Sequence, residues 1–317
     1  MLRSNRMYDI CFRAMQGLPL PVRSLTRLLV ESVMARLICT HAVIVCSYVW
    51  MSNHVHMQII SQDIADFTHF HERLKKQLTD LLKRLVSITH LNLWEKRTSV
   101  PEVLDLRAAI RRIVYTYLNP VRAGIVSSID HYQGCNTWSD FLAAPASIDS
   151  FVEKEVPWIK ATDIPPLSQE NPGLPEERRA IREINDKAQG RSTFKLRVYP
   201  FRWLKAFGVT RPEQIERIRA LIIQMVRDGE KKLAPRKEPN RRLDGFVVTD
   251  RYKPKKRERR IFMFASTKAR RLKHLLEYRH FCRICDACYE LMKQGVKQIP
   301  WPRECFIPPA PKLCNVF

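Results

Sequence analysis

The chain has 317 residues, with 55 Lys and Arg against 32 Asp and Glu, so its formal net charge is +23 at pH 7. Such a charge indicates a polyanionic partner, most often nucleic acid, against the alternative of a generally basic protein. The nine cysteines form no regular framework, which favours reduced thiols and a cytoplasmic, nucleoid-associated protein. No apolar run approaches about 18 residues, so we expect no membrane association.

The first half of the chain alternates strand-like and helix-like patterns. In chain order, we predict a strand at 7–14, a helix at 22–38, two strands on either side of 51–53, a helix from Asp63 to about Ile88, an edge strand at 97–104 and a helix from Asp105 to about Leu118. This order predicts an α+β fold, a ferredoxin-like antiparallel sheet with helices on one face.

Two histidines, His54 and His56, open the third predicted strand. Side chains two apart on a strand share a face, and two imidazoles on one rigid face are half of a site for a divalent metal. The spacing alone is a weak motif and also fits two ordinary strand histidines. His69 and His71 have the same spacing on a predicted helix, where they point in opposed directions, so we interpret them as solvated.

The helix before Asn119-Pro120 carries two tyrosines with different environments. Its apolar residues repeat at helical spacing and predict a buried stripe, formed by Leu106, Ile110, Ile113 and Tyr117. Tyr115 falls off that stripe and shares a polar face with Arg111, Arg112 and Asn119. We expect Pro120 to end the helix just after Asn119. On periodicity alone, Tyr115 also fits an ordinary exposed tyrosine.

The second half has a different composition. Repeated prolines in a polar stretch predict a linker at 146–175, which separates a domain at 1–145 from a mainly helical, basic region of unassigned role at 176–317. Lys and Arg are dense from Lys231 to Lys273, with Phe246 and Tyr252 between them. This pattern fits a surface that stacks bases of a single strand and, equally well, a solvated basic loop that touches only phosphate. The close spacing of Cys282, Cys285 and Cys288 fits a zinc site or small buried thiols on one helix face.

Two motifs together resemble a known family. The run MSNHVH at 51–56 and the run YTYLNPVRAGIV at 115–126 are similar to those of single-tyrosine HUH transposases, and within them to the REP-associated, IS200-like tyrosine transposases. The similarity spans residues 7–142. It implies a metal-dependent single-stranded DNA endonuclease and strand transferase, active in DNA transposition and recombination, that acts on single-stranded or hairpin DNA through a 5′-phosphotyrosine.

The resemblance also assigns site residues by position. His54 and His56 match the metal-binding histidines, Asn119 matches the polar third ligand, and Tyr115 matches the nucleophile, with Mg²⁺ or Mn²⁺ as the cofactor. We expect Arg111, Arg112 and Arg122 to contact flanking phosphates.

Two alternative functions and one question of assembly stay open. The chain could be a domesticated DNA-binding regulator without catalysis, or a hydrolytic nuclease that uses metal-bound water instead of Tyr115. It could act as a monomer or as a homodimer in which Tyr115 serves the partner's histidines.

Overall fold

The structure is a computed structural model that describes residues 3–15, 23–87, 89–90, 92–95, 98–167, 173–233, 261–302, 305 and 307. Its strands are β1 (Arg6–Arg13), β2 (Val43–Trp50), β3 (His54–Ser61), β4 (Glu102–Val103), β5 (Val152–Pro157), β6 (Thr193–Val198) and β7 (Met263–Phe264). Its α-helices are α1 (Ser24–Ile38), α2 (Ile64–Leu85), α3 (Leu106–Arg122), α4 (Trp138–Ala143), α5 (Leu174–Ala188), α6 (Pro212–Leu233) and α7 (Lys268–Lys293). None of these helices is long and apolar enough to cross a membrane.

The main sheet has five strands in the order β2-β3-β1-β4-β7. The pairs β2–β3, β3–β1 and β1–β4 are antiparallel, whereas β7 runs parallel to β4. The sheet is therefore mixed, and the prediction of a purely antiparallel sheet is wrong for its last strand. β7 reaches the edge of β4 from a distant part of the chain, so no hairpin forces it to run antiparallel.

Helices cover both faces of this sheet. Tyr8, Ile10 and Phe12 of β1 share a core with residues of α1 and α2, while Met7, which points to the opposite face of the strand, shares a second core with residues of α3. The prediction of helices on one face is therefore wrong for α3. The reason is that the strands are buried on both sides, which fits β2, where all residues but Ser47 are apolar or aromatic and nearly all are buried.

Helix α3 begins at an Asp105 cap, whose carboxylate accepts a hydrogen bond from the Ala108 N–H at 2.9 Å. It continues through Pro120 to Arg122, so the predicted end near Leu118 is too early. It stops where Gly124 adopts a φ of +70°, with the Ile125 N–H donating to the Pro120 carbonyl at 3.0 Å. Asn119 consequently lies in the last helical turn, where its side chain is buried.

The stretch predicted as a linker is structured in its described part. β5 pairs antiparallel with β6 in a second sheet, and Val156, Ile159 and Ile164 are buried in the core shared with α1 and α2. The prolines interrupt periodicity without removing the apolar side chains that fill this core. The division of the chain at 145 and 175 stays a prediction.

The region after residue 175 is mainly helical, as predicted, and also contributes β6 and β7. Helix α6 packs against α3 through fully buried Ile215, Ile222 and Val226. Most of the basic segment at 231–273 lies outside the described residues.

Candidate active site

The two histidines lie at the start of β3, on the face of the sheet covered by α3. In the β1–β3 register, His54 is opposite Arg13 and His56 is opposite Cys11. Their ring centroids are 5.1 Å apart and the rings are nearly perpendicular. The strand alternation thus places both imidazoles on one face, as predicted.

The Nδ1 atom of each ring faces a side-chain oxygen. His54 Nδ1 lies 2.6 Å from Asn53 Oδ1, which is a hydrogen bond. His56 Nδ1 lies 3.9 Å from Asp9 Oδ1, which is an electrostatic contact but too long for a hydrogen bond, and this buried nitrogen has no hydrogen-bond partner among the described residues. With Nδ1 directed at an acceptor, each ring has its Nε2 in place as a candidate metal donor.

The two imidazoles differ in charge. Burial, with the neighbouring His56 and Arg13, lowers the pKa of His54 to about 3, so this ring is neutral at neutral pH. Burial by itself would also lower the pKa of His56, but the Asp9 carboxylate and Cys11 together raise that pKa to about 9. A neutral ring therefore stands beside an imidazolium whose charge is balanced by Asp9.

Helix α3 brings Tyr115 and Asn119 to the same place. The Tyr115 ring centroid is 5.5 Å from that of His56, within the same chain. The Asn119 side chain lies near His54 and opposes the lowering of its pKa, and Asn119 Nδ2 is buried without a hydrogen-bond partner in the described residues. Tyr117, by contrast, is fully buried. Helical periodicity therefore separates the two tyrosines correctly.

The three predicted arginines have different surroundings. The Arg112 guanidinium lies 4.3 Å from the Tyr115 ring centroid, and the Arg122 guanidinium lies 5.0 Å from the same centroid. The phenol ring of Tyr115 therefore contacts two cations. Arg111 is exposed and lines a separate groove of about 540 Å³ between α3, α6 and the start of α7. The structure thus places two of the three beside Tyr115.

A buried polar network lies behind the histidines and was missed by the sequence analysis. Asp9 is 1% exposed and accepts hydrogen bonds from Arg112 Nε at 2.7 Å and from Gln58 Nε2 at 2.6 Å. Gln58 also donates to Thr116 Oγ1 at 2.8 Å. Burial by itself would raise the pKa of Asp9, but His56, Arg112 and Gln58 keep it below its usual value. The sequence did contain one signal of this network, which is the acidic Asp9 among the apolar residues in the middle of β1.

The predicted metal ligands fit a divalent cation in chemistry. Two imidazoles and the carboxamide oxygen of Asn119 are neutral donors once His56 loses its proton. The unpartnered atom of Asn119 is Nδ2, an N–H donor that needs an acceptor such as a phosphate oxygen and not a cation. Imidazole with carbonyl oxygen suits Mn²⁺ somewhat better than the oxygen-seeking Mg²⁺. Within the described residues, no group of three or more His, Cys, Asp and Glu could hold a metal, so Asn119 is essential to this assignment.

The cysteines of α7 lie close to one another and to the segment that follows the helix. Cys285 Sγ lies 3.3 Å from Cys305 Sγ, and Cys288 is buried with its thiol 3.6 Å from the Pro300 carbonyl oxygen. These thiols form no three-ligand metal group in the part of the chain that the structure describes. Cys288 is buried, whereas Cys282 and Cys285 are half-buried, so the choice between zinc and buried thiols stays a prediction.

Comparison with known proteins finds a distant likeness to a solved structure. No family model and no curated protein matches the chain. Among solved structures, the chain is similar to a REP-associated tyrosine transposase bound to a REP hairpin, with 14% identity and a TM-score of 0.40 over 45% of this chain and 82% of that one. Because this likeness is so distant, the assignment of a function rests on the geometry of the chain itself.

Proposed function

We propose that the chain is a metal-dependent single-stranded DNA endonuclease and strand transferase, an HUH-type tyrosine transposase on a ferredoxin-like sheet. The observation that carries the proposal is the contact between the Tyr115 and His56 rings, with His54 and Asn119 beside them. Two elements, β3 and α3, bring together a phenol, two imidazoles and a carboxamide. Metal-dependent phosphoryl transfer to a tyrosine requires the nucleophile to lie next to the metal site, and this arrangement meets that requirement.

In the proposed reaction, the Tyr115 oxygen attacks the scissile phosphorus while the bond from phosphorus to the 3′ oxygen breaks. The products are a 5′-phosphotyrosine link and a free 3′-OH: the phenolic proton passes to water, and the leaving 3′ oxygen takes a proton from water. A cation held by His54, His56 and Asn119 would polarise the phosphate. The link retains the energy of the phosphodiester, so a later 3′-OH can rejoin the DNA.

The remaining residues orient these groups. Asp9 holds Arg112 through Nε and Nη2, and its other oxygen makes an electrostatic contact with His56 Nδ1 at 3.9 Å, so one buried carboxylate lies between the imidazole and the cation that contacts Tyr115. Arg112 and Arg122 are the cations placed to attract phosphates next to the nucleophile. The net charge of +23 supports a nucleic-acid substrate, and we propose single-stranded DNA next to a hairpin.

The proposal is tested by covalent capture. The purified chain is incubated with end-labelled, single-stranded hairpin DNA and Mn²⁺, and the products are separated under denaturing conditions. We expect a protein–DNA adduct and a released strand with a 3′-OH. Tyr115→Phe should abolish the adduct, whereas the control Tyr289→Phe, on the exposed surface of α7, should retain it. An adduct that persists in Tyr115→Phe contradicts the assignment, and free 5′-phosphate ends without attached protein would indicate a hydrolytic nuclease instead.

A further inference from the structure

Arg112 is held on three sides. Its Nε and Nη2 lie 2.7 and 2.6 Å from Asp9 Oδ2, so the carboxylate fixes the direction of the guanidinium. One ring contact is with Tyr115, at 4.3 Å from Cζ to the ring centroid, and the other is with Phe264, at 4.1 Å. The Arg112 side chain is only 14% exposed, so little of it is left to water. Phe264 is therefore as close to this cation as Tyr115 is.

Strand β7 holds Phe264 in place by backbone contacts. Phe264 pairs with Val103 of β4, and its carbonyl accepts a hydrogen bond from the Leu104 N–H at 2.9 Å. Two residues later, the Ser266 N–H donates to Asp105 Oδ2 at 2.8 Å. Because Asp105 also caps α3, β7 is tied both to the sheet edge and to the helix that carries Tyr115.

These contacts have a consequence for the nucleophile. A guanidinium held by one carboxylate can still rotate about its side-chain torsions, whereas ring contacts also restrict its plane. Removal of the Phe264 ring would leave Arg112 free to turn away from Tyr115 and admit water to the contact. A displacement of the nucleophile by about 1 Å is enough to slow a positioned reaction up to about 100-fold.

We propose that Phe264 is a positioning residue for Tyr115 and acts through Arg112. The C-terminal region thereby contributes to the site that the two N-terminal motifs form. The catalytic consequence rests on the proposed function, whereas the orientation of Arg112 is a property of the folded chain and can be measured without DNA or metal.

The test compares Phe264→Leu, which removes the ring, with Phe264→Tyr, which retains it. Phe262→Leu is the matched control, because the Phe262 ring contacts Tyr278 and is 43% exposed. In the metal-free chain, NMR should detect the Arg112 Nε–H, protected by its bond to Asp9 and shifted by the adjacent rings. We expect Phe264→Leu to change this shift and accelerate hydrogen exchange, and Phe264→Tyr and Phe262→Leu to preserve both.

The second readout is adduct formation at saturating DNA and Mn²⁺. We expect Phe264→Leu to lower the single-turnover rate by about 2- to 30-fold, the range of one cation–π contact, with the dissociation constant of DNA unchanged and the rate restored in Phe264→Tyr. Thermal unfolding is measured first, and Phe264→Met replaces the leucine variant if the latter does not fold.

The outcomes separate the two proposals. A native chain that forms no adduct contradicts the proposed function, while the Arg112 signal still decides whether Phe264 orients that side chain. A native chain that forms the adduct, with rate and Arg112 signal unaltered in Phe264→Leu, overturns the positioning role and leaves the proposed function standing.

Discussion

The substitution Asp9→Asn removes the charge at the centre of the buried network and preserves its shape. Asp9 is 1% exposed and accepts hydrogen bonds from Arg112 and Gln58, with His56 Nδ1 3.9 Å away. Charge-assisted hydrogen bonds contribute about 1.5–3 kcal/mol each, and loss of one partner of a buried ion pair costs about 3–5 kcal/mol. Because Arg112 keeps some access to water, we expect a loss of about 2–4 kcal/mol, or about 4–8 °C in Tm.

The same substitution should change the titration of His56. In the native chain Asp9 and Cys11 raise its pKa from 6.5 to about 9 against the effect of burial. Because the pKa of His56 is higher in the folded than in the unfolded chain, its protonation stabilises the fold. This contribution, of order 3 kcal/mol, is fully present below the unfolded pKa of 6.5 and is lost as the pH rises through the folded pKa of about 9. Without the Asp9 charge, we expect the pKa of His56 to fall to 6.5 or below.

The assay is therefore a pair of measurements at several pH values. NMR titration follows the His56 imidazole, and chemical denaturation gives the unfolding free energy of the native chain and of Asp9→Asn between pH 6 and 10. The stability difference should be largest near pH 6 and smaller above pH 9. Asp80→Asn, an exposed carboxylate on α2, is the control. An unchanged His56 pKa in Asp9→Asn, or a stability difference independent of pH, would refute the role given to Asp9.

Three further predictions concern the site and its helix. Metal affinity, measured by calorimetry, should rise about tenfold per pH unit up to about pH 9, because His56 must lose its proton to bind whereas His54, with a pKa of about 3, is already neutral. Arg112→Lys should slow adduct formation, because a single ammonium cannot reproduce the paired contacts of the guanidinium with Asp9. Arg111→Lys should leave the rate unchanged, because Arg111 lines a separate groove. Equal losses of rate in the two variants would contradict this separation. Gly124→Ala, at a φ of +70°, should lower the unfolding free energy by about 1 kcal/mol in a denaturant titration, and an unaltered midpoint would exclude strain at the end of α3.

Local periodicity predicted the parts of the site that depend on one element. The alternation in β3 put His54 and His56 on one face, and the period of α3 separated Tyr115 from buried Tyr117. Both depend only on side-chain directions within a strand or a helix.

The missed features depend on contacts between distant parts of the chain. Asp9 and Arg112 are 103 residues apart, so no local pattern marks them as a pair. The two-residue strand β7 has too few residues for a periodic signal, and the contact of Phe264 with Arg112 depends on its pairing with β4. The placement of α3 on the second face of the sheet likewise depends on burial of both sides of the strands.

The position of β7 has a consequence for the order in which the site is made. Synthesis of the chain delivers the histidines, the tyrosine and Arg112 before residue 123, but the ring opposite Arg112 is delivered only with Phe264. A nascent or proteolysed chain that ends before β7 would hold every predicted reacting group without the ring that we propose orients Arg112. The proposed reaction would therefore run more slowly in incomplete chains than in chains whose translation has passed this strand.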